Sequence, residues 1–533
     1  MAWLRRRPRT TTLPVVPGGE GYGMSTRAAY GGGTPPQVLR VTTLNDSGAG
    51  SLRAALLTAG PRVVVFETSG NIVLTSDIVV TEPYVTLAGQ TAPSPGITLQ
   101  GFGIQWYTHD VLMQHLRVRP GDGPPRLPQT ADHDASIVYT EQAWNVVYDH
   151  NSLSWAQGKT TEVISPNSGA EVCYWRNLIS EALYRAKNVV IDPGQPSSLG
   201  MLLASMANTE MRVSVLGNLF AHNADRNPEI HTGVTLQFVN NVVYDWGRDE
   251  TPYPWASFLY QCEYLTQVAV VGNVYIAGPG PHPVTPLSAV ATWGCSGVQV
   301  YLADNALEGA EAYDACGGDD WCMTSLPVDL TGLTIRPAAD VEGFVRAQAG
   351  ARPAARDSVD ARVLEELATR TGRVIRSQDD VGGWPALAVN QRALRVPDNP
   401  HTILASGYTV LEVWLHGYAD AVEQASPPMT VLTSSDAVGF DYLDADLATY
   451  AVRGFEAQWD GAAYTALTVT GAVLPDTPSG AQTYRLVPPF PNGRHTVAVR
   501  ACNARGASGA ASWAFAVAPE MPPAPSGLRK VPR

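Results

Sequence analysis

The chain has 533 residues, of which 45% are hydrophobic, 8% aromatic and only 16% charged, with 49 glycines and 41 prolines. That length allows two to four domains or one long repeat with additions, and the glycine and proline content favours turn-rich β structure over helices. A formal charge of −13 argues against nucleic acid or an anionic membrane as the main partner, six cysteines are too few for a disulfide scaffold, and no stretch approaches the ~20 apolar residues of a membrane span.

Residues 1–14 read as a basic N-terminal arm, with Arg5, Arg6, Arg7 and Arg9. No long apolar run or small-residue cleavage site follows, so no secretory signal peptide is expected. Residues 15–310 read as short strands separated by loops. Early ones are Arg62-Val-Val-Val-Phe66, Ile78-Val-Val80, Val85-Thr-Leu87, Ile97-Thr-Leu99 and Val111-Leu-Met113. From residue 146 onward the strands share a motif. A β-branched or aromatic run ends on an asparagine, and further apolar residues follow. The asparagines are Asn151, Asn177, Asn218, Asn241, Asn273 and Asn305, spaced 26, 41, 23, 32 and 32 residues apart. Such a spacing suits coils of a β-solenoid, each of about twenty residues plus a variable loop. An amide both donates and accepts, so stacked asparagines would bond coil to coil and satisfy turns that otherwise bury unpaired polar groups.

Between 311 and 425 the pattern becomes helical and irregular. Residues 357–371 place Val359, Val363, Leu364 and Leu367 on one face behind an Asp357 cap, which predicts a helix. Thr409 and Glu412 form a capping box that opens a second one. Both would pack on the solenoid and shield it. Cys316 and Cys322 could close a small loop in an oxidising compartment, whereas Cys173 reads as a small buried hydrophobe. Residues 426–518 alternate like the late strands of a fibronectin type III domain, a small β-sandwich, and 519–533 form a Pro-rich basic tail.

Several stretches, in order, resemble bacterial secreted pectate lyases. They include Leu44-Asn-Asp-Ser-Gly-Ala-Gly-Ser-Leu-Arg-Ala55, Leu87-Ala-Gly-Gln-Thr-Ala-Pro93, Arg117-Val-Arg-Pro-Gly-Asp122 and Asn218-Leu-Phe-Ala-His-Asn223. Arg226-Asn-Pro228, Asp360-Ala-Arg362 and Ser377-Gln-Asp-Asp-Val-Gly-Gly-Trp-Pro385 continue the likeness, which spans about residues 15–420. The resemblance implies an all-β fold, a right-handed parallel β-helix, with the helical segment flanking it and the sandwich appended. It also implies cleavage of a uronic-acid polysaccharide by β-elimination. A base removes the proton at C5, alpha to the carboxylate, while a cation, calcium in the family, quenches the carboxylate's charge.

Carried onto this sequence, the resemblance makes Arg226 the base, although the residue could instead be a structural arginine bonding loop carbonyls. Asp134 matches a calcium-binding aspartate, and Asp132, two residues earlier, would share its face on an extended segment. Gly158 and Lys159 stand where further carboxylates are expected, with Glu162 nearby. Calcium would then be weakly held by Asp132, Asp134 and Glu162, or the Lys159 ammonium would replace it. Asp149 and His150 match a strand pair of architectural type, and His150 is also carried as a substrate-binding candidate beside His231 and Lys187. Glu229, so close to Arg226, opposes its service as a base. The expected partner is an acidic polysaccharide outside the cell. The alternative is a bacteriophage tail spike or tail-tip protein, in a virion and as a homo-oligomer, that binds host polysaccharide with weak or no lyase activity.

Overall fold

The computed structural model describes residues 13–423 apart from 123–133, 140–142, 166–169, 185–196, 206–209, 248–254, 261–262, 280–284, 290–296 and 310–321, together with strands between residues 430 and 531. The chain divides into two compact units, Met1–Glu423 and Gln424–Arg533.

In the first unit, successive coils contribute short strands to three parallel sheets. Sheet A has ten strands, from Gln37–Val41 to Val298–Ala303, sheet B nine, from Gly70–Val73 to Ala306–Glu308, and sheet C eight, from Ile78–Val80 to Thr285–Ala289. The parallel β-helix expected from the repeat is therefore present. Its interior is built of stacked columns. One runs Val64, Leu87, Met113, Tyr148, Tyr174, Val215, Phe238 and Val270 along sheet A, each opposite the next and all buried. Tyr148 and Tyr174 stack with ring centroids 4.5 Å apart, and their hydroxyls reach Ser136 and Thr161. Burying these rings thus leaves no polar atom unpaired.

The six asparagines form one continuous ladder at the turn from sheet A to sheet B. Each Nδ2 donates to the next Oδ1, at 3.1, 3.1, 3.0, 3.0 and 3.0 Å from Asn151 to Asn305. Each Oδ1 below the first also accepts the backbone N–H of the asparagine above. Asn218→Ala would leave the buried Asn177 N–H and Tyr174 carbonyl without their partners, and is expected to destabilise the unit by about 3 kcal/mol. Asn305→Ala, at the half-exposed end, should cost under about 1 kcal/mol, and thermal unfolding of the two variants checks the contrast.

Among the described residues four α-helices join the coils. Helix α1 is Leu52–Leu56, α2 Ala338–Gln348, α3 Ser358–Thr369 and α4 Val410–Glu423. Asp357 caps α3 by accepting the Asp360 N–H, and Thr409 and Glu412 exchange both bonds of a capping box at α4. Helices α2 and α3 bury Val341, Val345, Val363, Leu364 and Leu367 on the outer face of sheet B, against Leu178, Leu219, Val242 and Tyr244. Leu411 and Leu415 of α4 cover Val63, Val65 and Ala88 on sheet A. Among the described residues no apolar cluster covers the outer face of sheet C.

A buried charge network pins α3. His222 Nδ1 lies 2.6 Å from Asp245 and Nε2 3.2 Å from Glu366, which also pairs with Arg362. Burial alone would lower this imidazole's pKa, but the two carboxylates outweigh it and lift it to about 9. The folded-state pKa lies above the unfolded value near 6.5, so this stabilisation is complete below pH ~6.5 and is lost as pH rises through about 9. His222→Gln should flatten the fall in melting temperature across that window.

The second unit has a six-stranded sheet and a four-stranded sheet, mostly of antiparallel pairs such as Gly454–Trp459 with Gly493–Asn503 and Ala437–Leu443 with Ala481–Leu486.

Candidate active site

Alternation along the strands decides what the outer face of sheet C carries. Val163, Leu203, Ile230 and Leu259 form an inward column in the core. Their neighbours Glu162, Leu202, Glu229 and Phe258 therefore form the outward one. The ends where these strands begin bring three further charges to the same face. Asp134 precedes Ser136–Tyr139, Lys159 opens Lys159–Ser165, and Arg226 precedes Glu229–Ile230. Lys159 pairs with Leu199, which bridges Asp225, so Lys159 and Arg226 stand two coils apart, roughly 10 Å at ~4.8 Å per coil.

The charges interlock. Asp134 Oδ1 accepts the Lys159 backbone N–H at 2.9 Å, and the Lys159 ammonium sits 4.0 Å from Asp134 Oδ2 and 3.1 Å from Glu162 Oε2. Burial alone would lower the pKa of that ammonium, but Asp134 and Glu162 outweigh it and hold the pKa above the ordinary lysine value, while Arg226 is close enough to oppose them slightly. Arg226 Nε pairs with Glu229 Oε2 at 2.6 Å, and Glu229 Oε1 holds His231 Nε2 at 2.7 Å. Arg226 keeps 28% of its side chain exposed, so the guanidinium is tethered on the groove rather than sunk into the coil.

Local backbone sets this arrangement. Arg226 adopts a left-handed conformation, φ 59°, with its N–H on Asp225 Oδ1 at 2.7 Å. Its carbonyl accepts Met201 N–H. Gly200, on the intervening coil, leaves the loop its space, because a Cβ there would meet Asn227 Oδ1 at 2.5 Å and the Arg226 carbonyl at 2.6 Å. Gly200→Ala is expected to displace the guanidinium and cut kcat/KM roughly 10–100-fold with little change in the circular dichroism spectrum.

Of the residues singled out in the sequence, Arg226, Lys159, Asp134, Glu162 and His231 come together, whereas Asp132 and Lys187 lie outside the described residues. His150 is not brought to the groove. It is fully buried at the corner between sheets A and B, with Nδ1 on Asp149 at 2.5 Å. Glu229 bonds Arg226, as the sequence warned. Its register on the outward column was not legible from spacing, because the loops before each strand differ in length. Calcium is a poor fit to the described donors. Two carboxylates face the position, but the Lys159 ammonium already stands between them and would repel a second cation.

No family model matches the chain. The protein named "Probable pectate lyase C" of Aspergillus flavus is 30% identical over 437 residues, covering 76% of this chain and 94% of its own length. Its namesake in Aspergillus fumigatus is also 30% identical, over 443 residues, 76% of this chain and 93% of its own. The chain belongs to the pectate lyase family. The relatives that establish this are fungal, although the motifs had pointed to bacterial enzymes. A solved structure of jun a 1, the major allergen from cedar pollen, matches at 16% identity with a TM-score of 0.44, covering 62% of this chain and 91% of that one. Within this pectate lyase, the matched span falls short of the full chain, and the charged face of sheet C is its candidate catalytic groove.

Proposed function

We propose that this pectate lyase cleaves a uronic-acid polysaccharide by β-elimination along the groove on sheet C. Arg226 takes the C5 proton, and the Lys159 ammonium pairs with the uronate carboxylate in the role that calcium plays elsewhere in the family. As the C5–H bond breaks, its electron pair forms the C4–C5 double bond, the C4–O bond breaks, and the departing oxygen keeps that bond's electrons and takes a proton from water. The lysine is useful because it lowers the energy of negative charge that builds on the carboxylate in the transition state. His231 would bind substrate beside Glu229. The observation that carries this reading is the Lys159 ammonium lying between Asp134 and Glu162, on the same groove as Arg226.

Residues 426–518 are proposed as a fibronectin type III-like accessory module, and the polymer's nature places the reaction outside the cell. Nothing in the site favours the tail-protein alternative.

The test is the absorbance of the unsaturated product on polygalacturonate and methylated pectin, with and without chelator. Wild type should be active and indifferent to chelator. Lys159→Ala should lose about 100-fold in kcat/KM and, with Asp134 and Glu162 now uncompensated, regain part of it on adding calcium. Wild-type activity abolished by chelator and restored by calcium would overturn the lysine role.

A further inference from the structure

A second cluster of ligating side chains lies away from the groove, at the corner between sheets A and B. His115, Asp149, His150 and Glu423 each offer a donor atom, all within 4.8 Å of one another. The two histidines and Asp149 have no exposed surface, and the Glu423 side chain keeps only 16%. His115 and His150 occupy equivalent positions on adjacent coils, since Gln114 pairs with Asp149 just before them. Both adopt left-handed backbone, φ 55° and 50°, and their rings stack 5.3 Å apart and 11° from parallel.

The hydrogen bonds fix how these rings present their nitrogens. His115 Nδ1 lies 2.8 Å from the Ala351 carbonyl, which can only accept, so Nδ1 carries a proton. His150 Nδ1 lies 2.5 Å from Asp149 Oδ1, whose other oxygen accepts from Gln114. In both rings Nε2 is left buried and without a hydrogen-bond partner. Glu423 Oε1 stands 3.2 Å from His115 Nε2 and 3.6 Å from His150 Nδ1, ion-pair contacts that leave both Nε2 atoms short of a full hydrogen bond. Two adjacent buried imidazoles, each bonded through Nδ1 to an oxygen and with an idle Nε2, have the outer-shell pattern of metal-ligating histidines. Two carboxylates balance the charge of one divalent ion, and the nitrogen donors select a transition metal over calcium.

We propose that this corner is a structural zinc site, with His115 Nε2, a ring nitrogen of His150 and Glu423 as ligands and Asp149 orienting His150. A tetrahedral ion with bonds of about 2.1 Å brings donors about 3.4 Å apart, so the three ligands close in modestly on binding. Glu423 is the last residue of α4, and the ion would bolt that helix end to the coil corner. The assignment is independent of the reaction proposed for the groove.

The test uses the full chain. Protein purified without chelator should contain about one zinc per chain by elemental mass spectrometry. Chelator-treated protein should gain roughly 2–4 °C in melting temperature on adding zinc, and not with calcium or magnesium. Cobalt(II) should give the visible absorption of a tetrahedral centre. Glu423→Gln preserves the shape of the helix end and should weaken zinc binding at least tenfold while the circular dichroism spectrum stays unchanged. Protein that neither carries zinc as purified nor responds to it would overturn the site, leaving the cluster as histidine–carboxylate contacts. Equal zinc affinity in wild type and Glu423→Gln would overturn it too.

Discussion

Arg226→Ala is expected to lower kcat by about 1,000-fold, the middle of the range for removing a positioned proton-transfer group, while leaving the β-helix folded. The two effects separate for structural reasons. Arg226 is partly exposed but Glu229 is buried beneath it, so losing their ion pair should cost about 1–3 kcal/mol, which the long β-helix absorbs. Glu229 also keeps His231 as a partner when the guanidinium is gone. Proton abstraction, in contrast, cannot pass to Lys159, which two carboxylates hold in its charged form. A guanidinium releases its proton reluctantly, so the wild-type rate should climb with pH. Glu229→Gln removes the carboxylate paired with the guanidinium, frees it to approach substrate, and should raise the rate several-fold at neutral pH. Steady-state kinetics on polygalacturonate across pH 7 to 10 reads all three proteins. An Arg226→Ala enzyme within tenfold of wild type would sink the assignment of the base.

Much of the fold was legible because it repeats. Six asparagines at one coil position announced a ladder, and the Asp357 and Thr409 caps announced two helices, because each device is local and uses few residue types. Helix α2 escaped notice because no side chain caps it and Pro337 stands at its N-cap. At the groove, Arg226 and Lys159 were recognisable as residue types in a motif. Their distance across two coils was not, because variable loops hide the register. The zinc corner was invisible for the same reason. Its ligands are spread from His115 to Glu423, and the idle nitrogens appear only when each ring's other bond is known.

The motifs quoted separately in the sequence turn out to touch. Arg119 sits without exposed surface between Asp357 and Asp360, with contacts of 2.6 and 2.7 Å, across 238 and 241 residues of chain. Arg117 lies 3.4 Å from Asp357 beside it. From the next motif, Trp384 Nε1 donates to the Arg119 carbonyl and Ser377 Oγ to Asp122. A single clasp therefore fastens α3 and the segment after it to sheet B. Arg119→Met keeps the length of the side chain but leaves Asp357 and Asp360 buried with one cation between them. The expected loss is about 3–5 kcal/mol, because an uncompensated buried charge costs more than the pair ever contributed. Acid sharpens the test. Burial would raise the Asp357 pKa, but the charges of Arg119 and Arg117 outweigh it and hold the carboxyl well below the usual range. The folded-state pKa lies below the unfolded value, so this stabilisation is present above pH ~4 and is lost as pH falls beneath it. Thermal unfolding from pH 3 to 7 should show wild type losing stability in acid and Arg119→Met losing much less. Adding Asp357→Asn to Arg119→Met removes the stranded charge and should recover part of the loss at neutral pH. If the double variant is no more stable than the single, α3 is held by its apolar face, and the four charges only mark where it docks.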